Sequence, residues 1–432
     1  MIFKEELLHF VWKNKLFSNK NLKTVQGRNL EIINFGFHNN DAGPDFINAK
    51  IKIDDTLWAG NVEIHIKSSD WFVHNHQNDK QYNNVILHVV YEYQKEVVTE
   101  NGSEVPAFIL PVDEKIIEKY NLLKQNKNDI SCGVNFIKTP EIILNPWIDV
   151  QLIQRLENKS SRINSILESN KGNYEETYYQ VLASAFGFKV NSEPFEALAK
   201  SIPMQILAKN KDNLITLEAI FFGQAGFLES ENTDQYFNKL ATEYEYQKVK
   251  YKLKPLEKHL WKFLRLRPQN FPTLRIAQFA MLVHKSSGLF SKTLKTENLY
   301  ELKELFNVKA SEYWDTHYTF GKTGTKMVKN TGDNAVETII INTVIPLLFI
   351  YGKNHDNQDI IDKALNFVDN MKPEVNSIIK KWLKIGFEFK TASQSQALIN
   401  LHNEYCLKKR CTDCRIGTNI IKMKENFNPN NS

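Results

Sequence analysis

Apolar residues recur three and four positions apart from Lys4 to Leu16, where Leu7, Leu8, Val11 and Trp12 share one side, and this spacing predicts a helix. The period then shortens to two. Segments 31–37, 46–53, 57–67 and 84–93 alternate or run apolar and are rich in Val, Ile and Phe, which predicts strands, with 105–110 a weaker fifth. Gly43-Pro44, Asp54-Asp55 and Asn101-Gly102 supply the turns. From about Glu114 helical spacing takes over, predicting helices over 140–168, 174–187, 214–227, 235–250, 256–266, 273–285, 299–306, 360–370 and 374–385. The apolar run from Thr338 to Tyr351 is broken by Asn342 and Pro346 and falls short of the roughly 20 residues of a membrane helix, so it reads as a buried helix pair. The pattern as a whole predicts an α+β protein: an α/β module over 1–125, then a larger all-helical region over 126–432.

With 432 residues, 42% of them hydrophobic and 24% charged, the chain has an ordinary globular composition, which argues against wholesale disorder and suggests two or three domains. Its net charge of +5 permits an anionic partner without demanding one. The opening Met1-Ile-Phe-Lys-Glu-Glu places charges where a secretion signal needs apolar residues, so a cytoplasmic protein with no membrane association is expected.

Strand alternation puts Glu63, His65 and Lys67 on one face and Val62, Ile64 and Ile66 on the other. If 46–53 and 57–67 form a hairpin about Asp54-Asp55, Asp45 falls opposite Glu63. Two carboxylates meeting there could hold Mg²⁺ (or Mn²⁺), and a basic side chain on the same face could deprotonate a water for attack on a phosphate. Pro44-Asp45 followed by Glu63-Ile64-His65 resembles the signature of the PD-(D/E)xK restriction-endonuclease-like nucleases. The resemblance implies a restriction-endonuclease-like core in 1–125, with Asp45, Glu63 and the Ile64 carbonyl as metal ligands and a Glu from the preceding helix, Glu6 or Glu5. His65 stands where that signature has Lys, with Lys67 as a substitute, and 68–83 is short for the second helix such cores carry.

Five of the eleven histidines fall between His38 and His88. His74 and His76, two apart on an extended segment, form with Asp79 a second wall that would suit zinc better than magnesium. His88 lies in an apolar run and reads as a core histidine facing the same cleft. A zinc-dependent hydrolase of small substrates built on His74, His76 and Asp79 is a further reading.

The four cysteines are Cys132, Cys406, Cys411 and Cys414; three clustered thiols and one distant one suffice for zinc or a [4Fe-4S] cluster. The arrangement resembles the iron-sulfur staple of certain recombination and CRISPR-associated nucleases, although here Cys132 follows the strands instead of preceding them. From Lys248 to Arg267 eight Lys/Arg face Glu257 alone, and in a helix after Pro255 Lys258, Lys262 and Arg265 would line one side, able to track a nucleic-acid backbone. Ala42-Gly43-Pro44-Asp45-Phe46, Gly60-Asn61-Val62-Glu63-Ile64-His65, Ser69-Asp70-Trp71, Val85-Ile86-Leu87-His88, Leu264-Arg265-Leu266-Arg267-Pro268 and Asp413-Cys414-Arg415-Ile416-Gly417 together resemble an uncharacterised bacterial domain-of-unknown-function family, the 2851 series. That resemblance supplies no activity. The expected function is a metal-dependent nuclease acting on DNA or RNA; the alternative is a non-catalytic nucleic-acid-binding or assembly protein on a degenerate nuclease scaffold.

Overall fold

The computed structural model describes residues 3–229, 233–286 and 288–423. The chain divides into two compact units. The first takes Met1–Asp149 together with Val375–Glu388 and Leu398–Ser432; the second takes Val150–Glu374 and Phe389–Ala397. The boundary at 125/126 marks where strands give way to helices, whereas the compact units follow contacts, and the cysteine-bearing tail lies in the same unit as the strands.

The first unit starts with α1 (Glu6–Lys13), followed by β1 (Leu22–Lys23), β2 (Asn29–Asn34), β3 (Phe37–His38), β4 (Phe46–Ile53) and β5 (Thr56–Lys67). Then come α2 (Asp70–Val73), β6 (Val85–Glu92), β7 (Ala107–Ile109) and α3 (Glu114–Gln125). The strands form one sheet in the order β1-β2-β4-β5-β6-β7, with β3 also on β4. Pairing is antiparallel as far as β5 and parallel from β5 to β7. The six leading residues of β6, Val85 to Val90, are all buried, as expected for a central parallel strand covered on both faces. Helix α1 buries Leu7, Leu8, Phe10, Val11 and Trp12, and the Trp12 indole donates to the Phe35 carbonyl at 3.0 Å.

The β4–β5 hairpin turns at Asp54-Asp55, where Asp54 takes a left-handed conformation (φ 51°) and its carboxylate accepts from Asn29 N at 2.9 Å. Pairing runs from Ile53↔Thr56 to Phe46↔Val62, which sets Asp45 beside Glu63. Gly60 lets β5 pass close to the start of β6: a Cβ there would lie 2.4 Å from the Asn84 carbonyl oxygen and 2.5 Å from Ile86 Cγ2. The crossover from β5 to β6 consists of α2 and two single turns, anchored by Trp71, which packs with Tyr82, Val85, Val97 and Val105 and donates to the Val98 carbonyl at 3.0 Å.

The second unit is mostly helical, but not all-helical as expected of 126–432: His317–Thr319 and Lys322–Thr323 pair as a small antiparallel sheet about the turn at Gly321. The helix expected over 256–266 does not form; apart from one turn at Lys258–Leu260 the segment is irregular. Tertiary partners capture its backbone. Asn191 Nδ2 donates to the Lys262 carbonyl and Asn191 Oδ1 accepts from Lys262 N, both at 2.9 Å, while Leu256 N donates to the Gln224 carbonyl and Trp261 Nε1 to the Ala225 carbonyl. Arg265, in a left-handed conformation (φ 62°), breaks the remainder. The apolar run near 338–351 lies in one continuous helix, Asp333–Asn354, because a wide turn at Ile340–Val344 accommodates Pro346 at the start of the next stretch. That helix is long and apolar enough to cross a membrane by length and composition, and 78% of its most apolar window is buried inside the protein.

Since Trp71 is fully buried and backs the crossover, Trp71→Ala is expected to cost about 3–5 kcal/mol in urea unfolding. Trp71→Phe, which loses chiefly the hydrogen bond to Val98, is expected to cost nearer 1 kcal/mol.

Candidate metal centre

Register alone brings two carboxylates together. Asp45 N donates to Glu63 Oε2 at 3.1 Å, and Ile64 N donates to Asp45 Oδ2 at 2.9 Å, so each residue of the pair is held by the backbone of the other strand. Glu63 is buried, whereas the Asp45 side chain keeps 21% of its surface exposed. Burial, and then the charge of Asp45, push the Glu63 carboxyl up to about 9.

Histidines surround this pair. His65 follows Glu63 on the same face of β5; the crossover after α2 supplies His74 and His76; β6 supplies His88. His76 Nε2 lies 3.2 Å and His65 Nε2 3.5 Å from Glu63 Oε1. Ligand atoms of His65, His74 and His76 all fall within 4.8 Å of one another. His65 Nε2 is 3.1 Å from His74 Nδ1, and His65 Nδ1 is 2.9 Å from His88 Nε2. His76 Nε2 is buried and makes no hydrogen bond despite its closeness to Glu63. Its ring stacks on Tyr82 at 3.8 Å between centroids, which fixes its orientation.

His65 is 1% exposed, and burial, followed by the neighbouring His88, His74 and His76, lowers its pKa to about 2. An imidazole this reluctant to take a proton is a poor base at neutral pH, so the expected role of His65 in deprotonating a water does not suit its surroundings. It suits a neutral ligand whose Nδ1–H donates to His88, leaving Nε2 for an ion. His88, fully buried and lowered to about 3 by burial, stays neutral too. Asp79 is engaged elsewhere, its Oδ1 accepting from Gln81 N at 2.9 Å to cap a turn. Lys67 stands further along β5, opposite Glu92.

The acidic residue that α1 brings to the site is Glu5, immediately before its first turn. Glu6, one residue and about 100° round the helix, accepts from Tyr120 OH at 2.6 Å and pairs with Lys124 at 2.5 Å. Burial raises Glu5 to about 6, against the lowering effect of His9. His9, one turn on, places Nε2 3.3 Å from Asp45 Oδ2 and 3.8 Å from Glu5 Oε1. Burial opposes its charge, but Asp45, by hydrogen bond and by charge, and then Glu5 outweigh that and raise its pKa above the usual value. Sequence reasoning missed His9; its position four residues after Glu5, on the side of a helix preceding Asp45, was the available signal.

The four cysteines, all in the first unit, also converge: Cys132 lies within electrostatic reach of Cys411 and Cys414, and Cys406 of the other three. Lys258, Lys262 and Arg265 are exposed, on the irregular segment of the second unit.

A buried carboxylate against the imidazoles of His65 and His76, with His74 close to both rings and the Asp45 backbone bonded to the carboxylate, offers donors that could hold a divalent transition metal. The nitrogen content suits Zn²⁺, Mn²⁺ or Fe²⁺ better than Mg²⁺, which prefers oxygen donors. Comparison with known proteins adds no activity, for no curated protein and no solved structure matches the chain. One family model does match, over residues 5–377, a span that takes in the carboxylates, all the site histidines and Cys132. The chain therefore belongs to the family described as protein of unknown function DUF2851.

Proposed function

We propose that the first unit is a divalent-metal-dependent phosphodiesterase acting on nucleic acid, with the ion held by Glu63, His65, His74 and His76 and with Asp45 alongside. The observation that carries this reading is the mutual approach of the ring nitrogens of His65, His74 and His76, two of which, His65 and His76, also face the Glu63 carboxylate that the Asp45 backbone binds. An ion there would supply a Lewis acid for a phosphate oxygen and lower the pKa of a bound water. His9 and Asp45, linked at 3.3 Å on the more open side, are placed to move the proton, a role His65 cannot fill. Helix α1 ahead of an antiparallel hairpin that carries Asp45 and Glu63 at adjacent positions supports a restriction-endonuclease-like core, with histidine in place of the usual lysine. The exposed His74 and partly exposed Asp45 give a polymer a side from which to approach.

A second reading, a non-catalytic nucleic-acid-binding protein, is favoured by the exposed Lys258, Lys262 and Arg265 on an irregular segment. Under it, binding would survive loss of the carboxylates. The two readings are separated by cleavage of single- and double-stranded DNA and RNA with Mn²⁺, Zn²⁺ or Mg²⁺. Asp45→Ala, Glu63→Ala and His76→Ala are each expected to lower cleavage more than about 100-fold, and Mn²⁺ or Zn²⁺ to support it better than Mg²⁺. Equal residual cleavage in wild type and all variants would remove the enzymatic reading. Neutralising Lys258, Lys262 and Arg265 together is expected to weaken binding and to flatten its dependence on salt by up to about three phosphate contacts.

Ion binding should also depend on pH in a defined direction. Glu63, held near 9, carries a proton at neutral pH when no ion is bound, and an ion must displace it. About one proton per ion should therefore be released at pH 7, with apparent affinity falling as pH drops. Calorimetry in buffers of different ionisation enthalpy reads that proton, and Glu63→Gln should abolish its release.

A further inference from the structure

All four cysteines of the chain carry free thiols, and they converge from two segments far apart in sequence. Cys132 follows the loop after α3; Cys406 ends the helical segment His402–Cys406, and Cys411 and Cys414 lie in the turn that leads into the helix Arg415–Lys422. The two segments are tied directly. Lys409 Nζ donates to the carbonyls of Asn126 at 2.7 Å and Asn128 at 2.9 Å and to Ser131 Oγ at 2.6 Å, while Lys124 Nζ donates to the Lys409 carbonyl at 2.6 Å.

Burial raises the Cys414 thiol, and the backbone N–H groups of Gly417 and Ile416, in the first turn of Arg415–Lys422, act against that rise. Donors at a helix start favour the thiolate. Gly417 permits this packing: a Cβ there would sit 2.2 Å from the Cys411 carbonyl oxygen and 2.9 Å from its carbon, so a larger residue would push the turn off the helix. Arg415 lies over Trp147 and Arg410 over Tyr405, and those two rings meet edge to face at 5.3 Å between centroids.

Spacing then separates two kinds of centre. A single zinc at about 2.3 Å from each sulfur draws four thiolates to about 3.8 Å of one another. Among the described residues, the three histidine ligand atoms meet within 4.8 Å, but no three of the cysteine sulfurs do. Thiolates that bind separate irons at the corners of a cluster are held wider apart. We propose that Cys132, Cys406, Cys411 and Cys414 ligate a [4Fe-4S] cluster that fastens the 126–132 segment to the 406–414 turn. Each thiol releases its proton as it binds iron, and Lys409 and Lys124 offset the resulting charge. This centre is distinct from the histidine site and stands whether or not that site is catalytic.

The test is full-length protein purified anaerobically in the Glu63→Ala background, so that metal at the histidine site is not counted. The expected result is about four irons and four acid-labile sulfides per chain, with a visible charge-transfer band that bleaches on reduction. Cys411→Ser is expected to lower iron and sulfide at least about tenfold, and Gly417→Ala, which removes no ligand, to lower them several-fold. One zinc per chain without sulfide overturns the cluster in favour of a zinc site; protein free of both metals with intact circular dichroism overturns any metal at the four thiols. The elemental result on the parent protein decides the matter even if the cysteine variants fail to fold.

Discussion

The constraint on which the first unit turns is the burial of Glu63. A carboxylate enclosed between strands, with another carboxylate bonded to its backbone neighbour, is costly when ionised unless positive charge arrives. His65 and His76, which face it, are held from taking that charge by their own burial, and at His65 by the neighbouring imidazoles as well. His9, paired with Asp45, gains charge from its surroundings. The strand register, the short crossover and the packing of α1 all serve to hold this arrangement of carboxylates and imidazoles.

Much of this was legible from one dimension. The period-two alternation of 57–67 placed Glu63 and His65 on one face, and the two-aspartate turn set Asp45 across from them, because hairpin register depends on local turn geometry. The coarse division into a strand-rich start and a helix-rich remainder was readable for the same reason. The helix expected over 256–266 was not, since its backbone is taken by Asn191 and the Gln224 carbonyl and its Trp261 indole by the Ala225 carbonyl, partners no local window contains. Choosing Glu5 over Glu6 likewise requires knowing which side of α1 meets the sheet, and Tyr120 and Lys124, on α3, claim Glu6 from more than a hundred residues away. The surroundings of His65 were not legible either, since its burial and then the neighbouring imidazoles, which lower its pKa, come from other parts of the chain.

The join between α3 and the tail has a temporal side. Lys119 donates to the Met423 carbonyl across 304 residues of chain, and Lys124 to Lys409 across 285. On a ribosome the strands emerge early, yet the residues that close their unit are made only after the whole second unit, which has its own core and can fold in the interval. Until then Lys119 and Lys124 of α3 lack their partners in the tail. The order in which this polypeptide is threaded thus delays the closure of the unit that carries the strands.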